Sequence, residues 1–256
     1  MVKIALVVMA ATTLGAFAAA VALAQRGAGG SLPDLAAAAS TTLAWGAGVL
    51  VAVPASMQAF RADRSSGVRA LLRARGASTS AYARGRVLGL ALVLLAVVGG
   101  GTLVSGLAAM LLATRLGVAT HALQGLIASL AYAAAFAVVV APMSLAALGT
   151  RSRGGGYLRF LALLVVPELL EPWTSGLVPA GWGDLLSVPS ALTALRASLL
   201  PPGIDAARLA RAVFVLAAFA ALAYALVRAE IAALDAEPEG EPEEGVARPA
   251  LAGARS

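Results

Sequence analysis

The chain is poor in the residues on which most enzyme active sites depend. Its 256 residues include no cysteine, and Lys3 and His121 are the single lysine and the single histidine. Without cysteine there is no disulfide, no thiolate nucleophile and no cysteine metal site. Because Lys3 stands at the amino terminus, the chain has no phosphate-binding GxxxxGK[ST] loop and no buried catalytic lysine. We therefore do not expect it to hydrolyse ATP by that route.

Hydrolase motifs are missing as well. A single histidine cannot form an HExxH zinc motif, and the sequence contains no GxSxG nucleophile elbow. A serine protease within the membrane would require Ser105 and His121 on facing helices. We favour a simpler interpretation, in which Ser105 is a small residue of helix packing and His121 lies at the membrane interface. We expect no catalytic residue, no metal site and no cofactor.

Hydrophobic residues are present in large excess. They make up 60% of the chain and its mean hydropathy is +0.88, whereas about 45–50% apolar residues is usual in a soluble domain. Six runs reach or approach the ~20 residues needed to cross a bilayer. They are 4–24, 35–60, 87–114, 119–149, 157–176 and 212–227. Because they lack period-2 alternation, the sequence predicts an all-α, polytopic transmembrane bundle of about six helices, with a short cytoplasmic helix between spans two and three.

The first run has a second interpretation. Positively charged Lys3 precedes it, and Ala22-Leu23-Ala24 at its end resembles the cleavage site of a secretory signal. The run is longer than the ~7–15 residues of a signal core. This length favours a retained span over a cleaved signal.

Positive charge is distributed unevenly along the chain. With the amino terminus in the cytoplasm, most of the 19 Lys and Arg residues fall in cytoplasmic segments, as the positive-inside rule requires. Both termini are therefore predicted to be cytoplasmic. The formal charge of +6 is then chiefly a topology signal, and no basic patch interleaved with aromatic residues indicates nucleic-acid binding. The Ala- and Arg-rich composition is typical of a bacterial inner-membrane protein.

Seven arginines fall between Arg61 and Arg86, after the second span. Residues 61–76 form the part of this stretch that we call the arginine loop. Val68, Leu71 and Leu72 recur there at helical spacing and predict a short amphipathic helix. Ser65 or Ser66 is a suitable N-cap, Gly76 a suitable C-terminal stop, and Ser78 a suitable cap for the next helix. Arg69 and Arg73 are expected to lie away from the apolar stripe, and Arg75 near its edge.

A short helix of this kind has two possible environments. It can lie among lipid headgroups with its apolar side down. Alternatively, it can bind a groove of a cytoplasmic partner, with its leucines as anchors and its arginines for charge complementarity. We favour binding to a partner, because the helix is held between two spans at fixed geometry.

This stretch resembles the loop after the second span of type-2 ATP-binding-cassette (ABC) exporter permeases. The pattern is Asp63-Arg64-x-x-Gly67-x-x-x-Leu71-Leu72, then Arg75-Gly76-x-Ser78 and Tyr82-x-x-Gly85-Arg86. Those permeases also have six helices, both termini inside and an irregular outer segment between the fifth and sixth spans. The likeness in layout covers residues 1–232, and that in motif about 30 residues. One departure is that three residues precede the first span, where the family often has an amphipathic elbow helix.

The resemblance implies a permease subunit whose coupling helix lies in a cleft of a separate P-loop ATPase subunit. That partner would bind ATP and magnesium, and a second permease subunit, identical or different, would complete the exporter. Binding of the ATPase is assigned to Asp63, Arg64, Gly67, Arg69, Leu71, Leu72, Arg73 and Arg75. The alternative is a membrane scaffold or assembly factor that transports nothing, or an intramembrane enzyme built around His121. The transported substrate is not indicated.

The fifth run and the segment after it contain further candidates. Glu168 and Glu171 interrupt this run and are three apart, so they share one helix face. They either line a substrate path or lie in the outer headgroup region, and we favour the second because a charge at the bilayer centre costs about 2.5–3.5 kcal/mol. Residues 185–200 predict a helix near the outer surface, and Asp205 a cap for the sixth span.

The end of the chain differs from the rest in composition. From Asp235 onward, five glutamates alternate with proline and glycine. This composition is typical of disorder, so we divide the chain into a transmembrane domain, residues 1–232, and an acidic tail, residues 233–256. The tail is expected to be solvated, with electrostatic contact to the arginine loop as the alternative.

Overall fold

The protein folds as a bundle of α-helices. The computed structural model describes residues 32–115, 119–149, 153–174, 177–179, 182–200 and 204–236, with scattered positions between 7 and 22, and none of these residues forms a β-strand. We number the helices from residue 32 onward. They are α1 (Leu32–Thr42), α2 (Val49–Ser56), α3 (Ala59–Ser65), α4 (Val68–Ala74), α5 (Thr79–Leu94), α6 (Gly100–Arg115), α7 (Ala119–Leu148), α8 (Arg153–Thr174), α9 (Val188–Ala197) and α10 (Ala206–Ala236).

Four helices within the described residues are long and apolar enough to cross a membrane. They are Ala36–Ser65, Thr79–Leu111, Ala122–Leu148 and Ala206–Ala236, and they correspond to the second, third, fourth and sixth predicted runs. The prediction of an all-α fold is therefore confirmed, and these four helices fit a transmembrane protein. The fifth run forms α8, a helix of 22 residues that is not among the four. The first run lies largely outside the described residues, so the number six stays a prediction.

The fourth span occupies the centre of the bundle. It packs against the second, third and sixth spans and against α8 and α9, and Tyr132, Phe136 and Val139 on it are buried. The helix continues through Pro142 to Leu148, so it does not end at the proline. Packing on several sides outweighs the single backbone hydrogen bond that a proline removes.

Glycine allows the second, third and fourth spans to approach closely. The second and third spans each contain a π-helical turn, Leu43–Gly48 and Leu95–Gly99, and the two turns pack together. A Cβ at Gly48 would lie 2.7 Å from the Phe136 ring, and one at Gly106 would lie 2.3 Å from Leu126. Gly48 and Gly106 therefore act in helix packing, whereas a Cβ at Gly100 would meet nothing within 4 Å.

The segment between α8 and α10 follows its predicted outline. Ser187 caps α9 by accepting a hydrogen bond from the Ser190 amide, with Pro189 in the first turn. Asp205 caps α10 by accepting from the Arg208 amide at 2.9 Å. Helix α10 then continues to Ala236, four residues beyond the predicted end of the transmembrane domain at 232.

The helix ends separate into two groups. At one end of the bundle, the Gln58 and Phe60 amides donate to the carbonyls of Leu148 and Gly149, at 2.9 and 3.1 Å. These bonds join the start of α3 to the end of α7. The arginine loop and the end of α10 lie at this same end, which agrees with the predicted separation of cytoplasmic from outer segments.

Candidate partner-binding surface

Two glycines set the limits of the short helix α4. Gly67 has φ +74° and Gly76 has φ +79°, a left-handed conformation that glycine adopts without steric cost. Gly76 therefore ends the helix, as predicted. The predicted N-cap is wrong, because Gly67 occupies that position and no side chain caps the helix. Ser65 and Ser66 instead donate to carbonyls of their own turn, those of Ala62 and Asp63.

Asp63 is the centre of a buried polar network that fixes the loop to the third span. Its carboxylate accepts hydrogen bonds from the Tyr82 hydroxyl and, at 2.7 Å, from Nε of Arg86. The second carboxylate oxygen pairs with the other side of the Arg86 guanidinium. Asp63 is 7% exposed, so this motif residue contacts its own chain and offers little surface to a partner.

Arg69 is also turned inward. It is 5% exposed, and its Nη2 lies 2.6 Å from Asp235 Oδ2 and 2.9 Å from the Thr79 hydroxyl. The guanidinium carbon stands 4.5 Å from the centre of the Tyr82 ring, a favourable cation–π arrangement. The expectation that Arg69 faces a partner is therefore corrected, because a carboxylate and an aromatic ring of the same chain surround it.

The end of α10 receives three arginines of the loop. Arg69 and Arg73 both pair with Asp235, and Arg64 donates to the Leu234 carbonyl. Cationic groups are favourable there because the carboxyl end of a helix carries partial negative charge. Electrostatic contact of the acidic tail with the arginine loop was the alternative to a solvated tail, and Asp235, the first acidic residue of that tail, makes this contact. The signal available in the sequence was the position of Asp235 at the end of the last span, on the same predicted side as the arginine loop.

Fewer residues are exposed on the outward face of α4 than the sequence predicted. Leu71 is 53% exposed and Val68 is 40% exposed, whereas Leu72 packs against the hydrophobic core. Gly67, Arg73 and Arg75 are exposed as well. Of the eight residues assigned to ATPase binding, Asp63, Arg69 and Leu72 are turned inward, and Arg64 is partly buried against Leu234.

Comparison with known proteins identifies no relative. No protein-family model matches the chain, and neither a curated protein nor a solved structure matches it. The surface just described is therefore interpreted from its own geometry.

Glu168 and Glu171 hold the start of α9. Glu168 accepts a hydrogen bond from the Ser187 hydroxyl, and Glu171 accepts one from Ser190 at 2.7 Å. The prediction that the two share a helix face is confirmed, since both contact the first turn of one helix. Carboxylates at a helix amino terminus are stabilising because that end carries partial positive charge. This arrangement accounts for both side chains without a substrate.

Arg196 of α9 forms a polar contact that the sequence did not predict. Its guanidinium donates to the Ala37 carbonyl at 2.7 Å and to the Thr41 hydroxyl at 2.8 Å, and lies 4.9 Å from the Tyr132 ring centre. Burial lowers the pKa of Arg196 from its ordinary value, although an arginine stays protonated at neutral pH. The contact joins α9 to the start of the second span.

Ser105, one member of the serine–histidine pair that an intramembrane protease would need, bonds within its own helix. The Ser105 hydroxyl donates to the Gly101 carbonyl of its own helix at 2.9 Å, as expected of a packing residue. The side chain of His121 lies outside the described residues. No group of three His, Cys, Asp or Glu that could hold a metal ion occurs in the part of the chain that the structure describes.

Proposed function

We propose that this chain is the membrane-spanning permease subunit of an ABC-type exporter, and that a separate P-loop ATPase subunit binds the outward face of α4. The observation that carries the proposal is the geometry of α4. It is a short helix between two membrane spans that exposes Leu71 beside Arg73 and Arg75 while its other side is fixed to the bundle. An exposed leucine flanked by cations suits a groove with an apolar floor and an acidic rim.

The way in which α4 is fixed supports a mechanical role. Asp63 joins the loop to the third span through Tyr82 and Arg86, and Asp235 joins α4 to the sixth span through Arg69 and Arg73. A displacement of α4 would therefore reach both spans. Coupling between distant sites requires such continuous contacts between rigid elements.

Transport would then proceed without chemistry in this chain. ATP binding would close the partner ATPases, α4 would move with them as a rigid body, and the spans would change between inward and outward openings. ATP and magnesium would stay in the partner. A second permease subunit would supply the other half of the path, and the arginine loop and both termini would lie in the cytoplasm, beneath a bacterial inner membrane.

Leu71→Asp tests the proposed surface. Leu72 is unsuitable because it packs against the core, and its replacement would disturb the fold. Leu177, which is 84% exposed and lies at the other end of the bundle, provides the matched control Leu177→Asp. The tagged chain is purified from its native membrane in a mild detergent, and its partners are identified by mass spectrometry.

The expected result is a P-loop ATPase that accompanies the wild type and Leu177→Asp and is lost from Leu71→Asp, with all three chains recovered from the membrane at the same level. Equal recovery of the ATPase with Leu71→Asp would reject the surface. Absence of any P-loop ATPase from the wild-type preparation would reject the exporter and leave the alternative that α4 lies in the lipid headgroups of a membrane scaffold.

A further inference from the structure

Positive charge remains on the outward side of the arginine loop after the internal contacts are made. Arg61 and Arg75 are exposed, and among the described residues neither takes part in an ion pair. Arg73 pairs with Asp235, but about half of its side chain (49%) is exposed. This charge adjoins Leu71, the exposed leucine of α4.

The most acidic part of the chain follows Asp235 in the sequence. Asp235 forms ion pairs with Arg69 and Arg73. The residues after it include glutamate at 237, 239, 241, 243 and 244. Pro238 and Pro242 disfavour continuation of α10 in a straight line away from the bundle. The described part of α10 therefore ends beside the arginines, and five glutamates follow within nine residues of Asp235 in the sequence.

The segment is long enough to cross the outward face of α4. From Asp235 to Glu244 there are nine residues, which span up to about 30 Å when extended, whereas a helix as short as α4 is about 10 Å long. Attachment at Asp235 gives the segment an effective concentration in the millimolar range at the arginines. Neither lipid nor a second copy of the chain has that advantage.

We propose that the acidic segment 237–244 binds in cis across the outward face of α4, with Asp235 as its fixed end and Arg73 and Arg75 as its principal contacts. The segment then covers Leu71. One consequence rests on the proposed function: a partner ATPase has to displace the segment in order to bind. The contact itself does not depend on that function.

The absence of cysteine allows a direct test in the full-length chain. Nitroxide labels are placed at Ala74→Cys and Gly240→Cys, and the distance between them is measured by double electron–electron resonance in nanodiscs of zwitterionic lipid. At low ionic strength we expect a narrow population at short distance. Replacing the five glutamates by glutamine, or Arg75 together with Arg73 by glutamine, should abolish that population, and ~1 M salt should do so by shortening the screening length to about 3 Å.

A matched control replaces an arginine that lies away from the proposed contact between the acidic segment and α4. Arg208→Gln, at the opposite end of α10, should leave the short-distance population unchanged. A broad distance distribution in the wild type, or a short-distance population that survives the five glutamine substitutions, would overturn the proposal. Either result is obtained without an ATPase, so failure here and failure of the exporter assignment are separate outcomes.

Discussion

At the scale of single residues, the seven arginines between Arg61 and Arg86 have different roles although they look alike in the sequence. Arg86 pairs with Asp63 and Arg69 with Asp235, while Arg75 is exposed. The sequence predicts that arginines gather on one side of the membrane. It does not predict which are buried, because the partner of Arg69 lies 166 positions away along the chain.

Gly149 provides a residue-scale prediction. A Cβ there would stand 2.5 Å from the Phe60 ring and 2.6 Å from the Leu145 carbonyl, and backbone cannot move aside cheaply. Gly149→Ala should therefore destabilise the protein by about 1–3 kcal/mol, as overpacking usually does. The measurement is the thermal unfolding midpoint of the purified protein in detergent.

Gly85→Ala is the matched control, since a Cβ at that helical position would meet nothing within 4 Å. It should melt with the wild type or slightly above it, because alanine favours helix more than glycine does. Equal unfolding midpoints for Gly149→Ala and Gly85→Ala would contradict the close contact between the second and fourth spans at this position.

At the scale of elements, hydrophobic spacing and glycine predicted that α4 exists and where it stops. Its start was predicted wrongly, since Ser65 and Ser66 were expected to cap it and Gly67 does so. A serine cap requires an extended backbone at the cap position, whereas here the chain reverses in a left-handed turn that suits glycine. The contact between α4 and α10 joins residues far apart in the sequence, and its one signal was the acidic Asp235 on the same predicted side as the arginine loop.

The α4–α10 contact gives an element-scale prediction. Asp235→Asn leaves Arg69, which is almost completely buried, without its counter-ion, and loss of one partner of a buried pair costs about 3 kcal/mol. Residues 68–76 should then exchange their amide hydrogens more than tenfold faster, as measured by mass spectrometry.

Two control variants make that test specific. Asp235→Glu keeps the charge and should restore most of the protection, and Asp205→Asn, which removes a carboxylate charge at the other end of α10, should leave residues 68–76 unchanged. Exchange in Asp235→Asn at the wild-type rate would contradict a role of Asp235 in holding α4.

At the scale of the whole molecule, composition was sufficient to predict an α-helical membrane protein, because uninterrupted apolar runs leave helices as the means of satisfying backbone groups in lipid. The order of packing was not predictable. The fourth span is the central helix because it packs against the second, third and sixth spans and against α8 and α9. Tyr132 and Phe136 on it are buried. Composition alone leaves open whether α8, the run with two glutamates, crosses the membrane.

The prediction for the whole molecule is which end of the bundle faces the cytoplasm. In the cysteine-free chain, Ala74→Cys and Leu177→Cys place one thiol at each end of the bundle. In right-side-out membrane vesicles, a membrane-impermeant maleimide should label Leu177→Cys at once and Ala74→Cys after permeabilisation. Labelling of both thiols from the same side would contradict the predicted topology.

The proposed function depends most on what contacts Leu71 in the native membrane. Photo-crosslinking through p-benzoylphenylalanine at position 71, with position 177 as control, captures the neighbour directly in intact cells. We expect position 71 to yield a covalent adduct with a P-loop ATPase and position 177 to yield none. Adducts of position 71 with lipid, and none with an ATPase, would contradict the assignment of α4 as the docking surface of an exporter.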